Sequence, residues 1–242
     1  MRKTSRATLA RVNEKQPHEL YKSMFYLMLE KCSKIAPKHR FKFNGKVFLF
    51  DATTIDLCLA VFPWAKFRRA KGAIKLHFGL DADGHLPAFM DLAEGKFHEV
   101  KWARNIRNIP AGSCLVFDRG FTDYQWSQDL CERGIYFVTR LKKNAAPIYL
   151  NKRRGRKSAN INNDQTVQLR NMDSTLRLVE YTDPETEKNY QYFTNADHLT
   201  AKTIANLYKE RWNIELFFKW IKQNLKIKTV HPLNAYFDLW RS

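Results

Sequence analysis

Residues 208–223 read YKERWNIELFFKWIKQ. Wound as an α-helix, Tyr208, Arg211, Glu215 and Lys222 fall in one narrow stripe. Trp212, Ile214, Leu216, Phe217, Phe218, Trp220 and Ile221 fill the other directions. A helix that is apolar nearly all round is normally buried in a sizeable domain. A polar stripe on such a helix must find partners, because unpaired buried charge is costly. Glu215, with two cations and a phenol beside it, reads as the acidic member of a site for a polyanion and its metal ions.

Thr200 is a good N-cap residue and predicts one long helix from there through Lys222. Upstream, Val47–Phe50 is a short apolar run ending at Asp51, a buried strand with a carboxylate at its exit. Strands at Ile74–Leu80 and Leu86–Leu92 flank Asp81-Ala82-Asp83-Gly84, a hairpin signal. A helix from about His98 to Ile106 precedes Pro110, and Cys114–Phe117 is a second apolar strand that delivers Asp118. A helix over Tyr124–Glu132, Gly134 and a strand over Tyr136–Thr139 follow. From about Lys142 to Asp197, Asn, Asp, Lys, Arg and Thr dominate, with strand-prone pieces at Thr166–Leu169, Leu176–Tyr181 and Tyr190–Phe193. This stretch reads as a small β-rich insertion. Near the start, Leu20–Ile35 has helical spacing and is closed by Pro37. The expected organisation is a helical segment over 1–45, an α/β catalytic unit over 46–228 and a short tail over 229–242. The element order matches a ribonuclease H-like domain, a mixed sheet flanked by helices with the insertion before the last helix.

In such a sheet the first and fourth strands are neighbours, and the last helix packs across their ends. Asp51, Asp118 and Glu215 are therefore expected to meet at one edge. Clustered carboxylates repel unless cations neutralise them, and hard oxygen ligands suit Mg²⁺ or Mn²⁺. Two such ions, about 4 Å apart, activate a water or hydroxyl and stabilise the leaving oxygen in phosphodiester attack.

These residues give the chain a family likeness. It resembles the DDE transposases of bacterial insertion sequences, in the group with the Tyr–Arg–Glu–Lys signature (the insertion-sequence-four family). Tyr208, Arg211, Glu215 and Lys222 match that signature, with two, three and six residues between successive members. Phe50-Asp51-Ala52-Thr53-Thr54 and Val116-Phe117-Asp118-Arg119-Gly120-Phe121 look like its two aspartate segments, and the β-rich insertion is also a feature of the group. The likeness covers roughly residues 45–228. It implies that Asp51, Asp118 and Glu215 are catalytic metal ligands, and that Tyr208, Arg211 and Lys222 hold phosphates of the transposon end. It further implies a homodimer on double-stranded DNA that cuts by hydrolysis. The freed 3′-hydroxyl then attacks target DNA, often after a hairpin intermediate. Members that flip a base stack it on an aromatic residue of the insertion. No Trp occurs there, so Tyr190 and Tyr192 are the substitutes.

Composition agrees with a nucleic-acid partner. Lys plus Arg number 42 against 24 Asp plus Glu, a net charge of +18, and such an excess favours phosphate contacts. With 44% apolar and 14% aromatic residues over 242 positions, a substantial core is expected. Lys66, Arg68, Arg69, Lys71 and Lys75, interleaved with Trp64 and Phe67, are candidates for tracking a DNA backbone or else form a soluble basic loop. The run Lys152–Lys157 is a second basic candidate. Arg119 either contacts phosphate or pairs with Asp123, and His98-Glu99 either supports the metals or starts a helix. Cysteines 32, 58, 114 and 131 lack metal-ligand spacing and read as reduced, mostly buried thiols. No secretory segment opens the chain, and the longest apolar run, Leu57–Ala65, is too short to span a bilayer. A soluble, cytoplasmic, nucleoid-associated bacterial protein is expected. Two alternatives stand beside the transposase: a metal-dependent nuclease without strand transfer, and a truncated DNA-binding remnant. The second arises because only 50 residues precede Asp51 and 20 follow Lys222.

Overall fold

The computed structural model describes residues 5–57, 66–68, 71–142, 144–153, 159–170 and 172–224. Two helices, α1 (Arg6–Lys15) and α2 (His18–Ile35), lead into β1 (Val47–Leu57), β2 (Lys66–Arg68), β3 (Lys71–Asp81) and β4 (Leu86–Glu94). Next come α3 (Glu99–Asn105), β5 (Cys114–Phe117), a 3-10 turn over Arg119–Phe121, α4 (Tyr124–Glu132) and β6 (Tyr136–Arg140). Four further strands follow: β7 (Ile148–Lys152), β8 (Ile161–Gln168), β9 (Leu176–Thr182) and β10 (Asn189–Thr194). Helices α5 (Ala201–Glu210) and α6 (Trp212–Asn224) end the described part.

All the described strands belong to one sheet, in the order β2-β3-β1-β5-β6-β10-β9-β8-β7, with β4 on β3. β1 is antiparallel to β3 and parallel to β5, and β5 is parallel to β6. This mixed core, with helices on both faces, is the ribonuclease H-like arrangement. The β-rich stretch does not stand apart: β10 pairs antiparallel with β6 and carries β9, β8 and β7 outward on the same sheet. Asn195 ties this junction, its Oδ1 accepting from Phe137 N at 2.9 Å and its Nδ2 donating to Ile135 O at 2.9 Å.

Strand alternation sorts the core into two layers. Val47, Leu49 and Ile55 point to the face covered by α5 and α6, where they join Phe78, Val116, Ile204, Leu207, Ile214 and Phe218. Phe48 and Phe50 point the other way, against Trp102, Phe117, Phe121 and Trp126. Asp51 continues the odd-numbered series and therefore faces α6.

The first strand is longer than its sequence suggests. Thr53, Thr54 and Ile55 are β-branched and keep β1 paired with β3 as far as Leu57↔Gly72. Asp51 is a strand exit only towards β5, where the parallel pairing stops at Phe50↔Phe117. The expected single C-terminal helix is likewise two, broken at Arg211. On α6, Ile214, Phe218 and Ile221 are buried, but Trp212, Leu216 and Trp220 are exposed, so that helix is not buried all round. Cys114 is buried, whereas Cys32 is exposed because α2 itself presents much of its surface to solvent. No helix of the described residues is long and apolar enough to cross a membrane.

Candidate active site

Asp51 and Asp118 each follow the last parallel rung between β1 and β5. β1 runs on while β5 turns away into the 3-10 turn, which opens a notch at the strand ends. α6 lies against β1 and brings Glu215 to the same place. Between the helices, Arg211 sits in a tight bend made by Arg211 N donating to Tyr208 O and Ile214 N donating to Arg211 O, both at 3.2 Å. Its guanidinium reaches Asp51 Oδ2 from Nη1 at 3.0 Å, and it also donates from Nη2 to Glu215 Oε1. The Asp51 side chain is 18% exposed and that of Arg211 12%.

The electrostatics follow from this enclosure. Burial pushes the Asp51 carboxyl up to about 6, against the opposing pull of Arg211 and a hydrogen bond from Ala52 N, with Asp118 and Glu215 adding to the rise. Asp118 and Glu215 thus both lie near enough to act on Asp51. Asp118 makes no side-chain hydrogen bond or ion pair among the described residues. Among the described residues no three His, Cys, Asp or Glu side chains form a ready-made metal site. Arg211 lies between Asp51 and Glu215 and donates to both.

Two hollows flank this arginine. A cleft of about 450 Å³ is lined by Asp51, Thr53, Glu215, Phe218, Lys219 and Lys222. Lys222 is therefore beside the acids, and Lys219 joins it. The sequence marks Lys219 only by its place one turn after Glu215, at i+4. A larger groove of about 1170 Å³ is lined by Arg211, Tyr208, Tyr190, Arg140, Lys38 and Arg40 among others. Tyr208 is packed in the core, 4.9 Å from the Tyr192 ring and with Arg211 at 5.6 Å from its own ring centre. Its hydroxyl and Arg211 Nε are buried without a hydrogen-bond partner. Of the two candidate stacking tyrosines, Tyr192 is 3% exposed beneath this layer, while Tyr190 borders the groove under Arg140.

Other candidates are sorted by the structure. Arg119 does not pair with Asp123, which accepts from Arg104 at 2.5 Å and caps α4 through Trp126 N. Glu99 does open α3, and it accepts from Lys75 at 2.8 Å on the sheet face opposite Asp51. That pair removes Lys75 from the free cations of the basic stretch. Lys66 and Arg68 in β2 and Lys71 in β3 form a hairpin, with Lys66↔Gly72 and Arg68↔Lys71 as partners. Arg69 and Trp64 lie outside the described residues, as does the basic run from 154 on. Arg153 pairs with Asp197 at 2.8 Å.

Comparison with known proteins identifies the family. Residues 42–234 match the family described as the transposase DDE domain. The chain is 27% identical over 233 residues to the probable transposase for insertion sequence element IS5377 of Geobacillus stearothermophilus, an alignment covering 93% of this chain and 60% of that one. It is 30% identical over 232 residues to a protein of Sinorhizobium fredii named as transposase y4zB, covering 91% of this chain and 63% of that one. Identity is 24% over 237 residues to a Synechocystis protein named for insertion sequence element IS4SA, with 94% and 65% covered. The chain spans 60–65% of the length of these relatives. With most of its own length matched, it belongs to the transposase DDE domain family.

Proposed function

We propose that this chain is a DNA transposase of the Tyr–Arg–Glu–Lys group, cutting the ends of an insertion sequence and joining them to target DNA. In this reading residues 46–228 are the catalytic unit, and two copies act together on double-stranded DNA. The observation that supports the proposal is that Asp51 shares a cleft with Glu215, Lys219 and Lys222, with Asp118 near enough to act on the Asp51 carboxyl.

The donor set fits a divalent ion. Three carboxylates offer hard oxygens of the kind Mg²⁺ and Mn²⁺ take. Asp51 is largely buried, and the one guanidinium beside it is shared with Glu215. A bound divalent ion, or a pair of them, activates the attacking oxygen and neutralises the charge of the departing one. The protein's own part is to hold the backbone. Lys219 and Lys222 present ammonium groups to a phosphate in the cleft. The Tyr208 hydroxyl and Arg211 Nε, both unpartnered, suit a second phosphate oxygen on the groove side. Lys66, Arg68, Arg69 and Lys71 extend the track along the flanking duplex. No protein nucleophile is needed, because water and then the DNA 3′-hydroxyl attack phosphorus directly.

End-labelled element DNA, Mg²⁺ and a target plasmid test the proposal. Asp51→Asn, Asp118→Asn and Glu215→Gln should each abolish cutting and leave salt-sensitive DNA binding intact. Cutting at the wild-type rate by any one of them would refute the site. Cut ends without joined product would restrict the reaction to hydrolysis, and binding without cutting would leave a DNA-binding remnant.

A further inference from the structure

Two acids of the cluster share one cation. Arg211 donates to Asp51 Oδ2 at 3.0 Å and to Glu215 Oε1, while its Nε has no partner. Arg211 takes one oxygen of each carboxylate and sets a positive charge between the two, so an ion that needs both acids must displace it. The guanidinium cannot simply let go, because a buried cation stripped of its anions is strongly unfavourable. It needs another anion, and the large groove that Arg211 also lines carries Lys38, Arg40 and Arg140 along with Asp183, Glu185 and Glu210. Of these acids, Glu185 is paired with Lys209 and Glu210 with His85, leaving cations in excess for a phosphodiester backbone. Arg211 thus stands between two sites, one for a divalent cation and one for a phosphate, and both compete for its place.

We infer that Arg211 is a latch that makes ion loading conditional on DNA. Without DNA it locks Asp51 and Glu215 to each other. When a backbone phosphate takes the guanidinium on the groove side, both carboxylates are released to the ion. The inference rests on the reading of Asp51 and Glu215 as ion ligands and gives Arg211 a role beyond holding phosphate. It also requires reciprocity: DNA tightens ion binding by the same factor that the ion tightens DNA binding.

The test titrates Mn²⁺ into the full chain, following the loss of the free-ion signal by electron paramagnetic resonance. It is run with and without a short mixed-sequence duplex, subtracting what the duplex binds alone. Fluorescence anisotropy of the labelled duplex, with and without Mn²⁺, gives the reverse arm. In the wild type each ligand should tighten the other roughly 5- to 150-fold, the usual range of such coupling. Arg211→Ala should bind Mn²⁺ more tightly than the wild type without DNA, and its coupling factor should fall towards one. Arg211→Lys keeps the charge but cannot span both carboxylates, so its affinity without DNA should also exceed that of the wild type. It carries the test if the alanine variant fails to fold, as judged by circular dichroism. A folded Arg211 variant whose Mn²⁺ affinity and coupling equal those of the wild type overturns the latch. Asp51→Asn separates the two ideas. If it leaves the Mn²⁺ isotherm unchanged, the ion-ligand reading falls and the latch with it. If it removes the site while the Arg211 variants match the wild type, the latch alone falls.

Discussion

Burial shifts the proton affinity of two side chains on neighbouring strands, Asp51 on β1 and His77 on β3, in opposite directions. Burial raises the Asp51 carboxyl from 3.8 to about 6. The folded protein then holds this proton more tightly than the unfolded chain does. Its contribution is fully present below pH 3.8 and is lost as pH rises through about 6. His77 is the converse case. Fully buried, stacked 5.2 Å from Trp102 and with both ring nitrogens unpartnered, it is lowered by burial from 6.5 to about 4. Its contribution is present above pH 6.5 and is lost as pH falls through about 4. At about 1.4 kcal/mol per pH unit, each effect is worth roughly 3 kcal/mol across its window. The two largely cancel in the wild type, so single substitutions are needed to see them. In chelator, urea midpoints should show Asp51→Asn gaining on the wild type as pH rises from 4 to 6. His77→Phe should gain as pH falls over the same range. Parallel pH profiles for the two variants would show that burial does not set these affinities.

At the level of elements, the bend between α5 and α6 decides where the site forms. Nothing in the sequence marks it: Arg211 is a good helix former and no Gly or Pro is near. The cause is tertiary, since the Arg211 side chain is tied to Asp51, 160 positions away. Glu210 beside it is held by His85 at 2.8 Å and Asn213 at 2.6 Å. Periodicity cannot report such ties. All six strands from β1 to β6 except the short β2 were legible as apolar runs, although β1 continues beyond its run. β7 was not, because all of Ile148–Lys152 is exposed and its order comes from main-chain pairing with β8. Asp51 and Asp118 were singled out at strand ends and Glu215 and Arg211 on one helix stripe, but the tie of Arg211 to both Asp51 and Glu215 could not be read. The helix start was legible too, and it is testable. Thr200 Oγ1 accepts from Thr203 N at 3.1 Å and caps α5. Thr200→Ala should cost about 1 kcal/mol in urea unfolding, whereas Thr200→Ser should keep most of it. An alanine variant as stable as the wild type would mean that core packing alone holds the start of α5.

Over the whole molecule, the charge of +18 must be divided between cations tied up internally and those free to meet phosphate. Lys46 is held by Asp81 and Asp83, Lys75 by Glu99, Arg104 by Asp123, Arg133 by Asp129 and Arg177 by Asp164. These pairs tie loops and strands to one another. The hairpin of β2 and β3 carries Lys66, Arg68 and Lys71 in its backbone pairing, with Arg69 next in sequence after Arg68. If they track a duplex backbone, Arg68→Gln with Arg69→Gln should weaken binding to all sequences alike. Each lost phosphate contact reduces the slope of log affinity against log salt by about 0.9, so the double variant should lose up to roughly 2. Anisotropy titrations between 50 and 200 mM salt, a span of about fourfold over which such slopes are readily measured, provide the check. Asp51→Asn serves as the control, since it alters the cleft and not the basic edge, and it should keep the wild-type slope. An unchanged slope and unchanged low-salt affinity in the double variant would remove the hairpin from the DNA path. The phosphate contacts would then have to come from the groove around Lys38, Arg40 and Arg140.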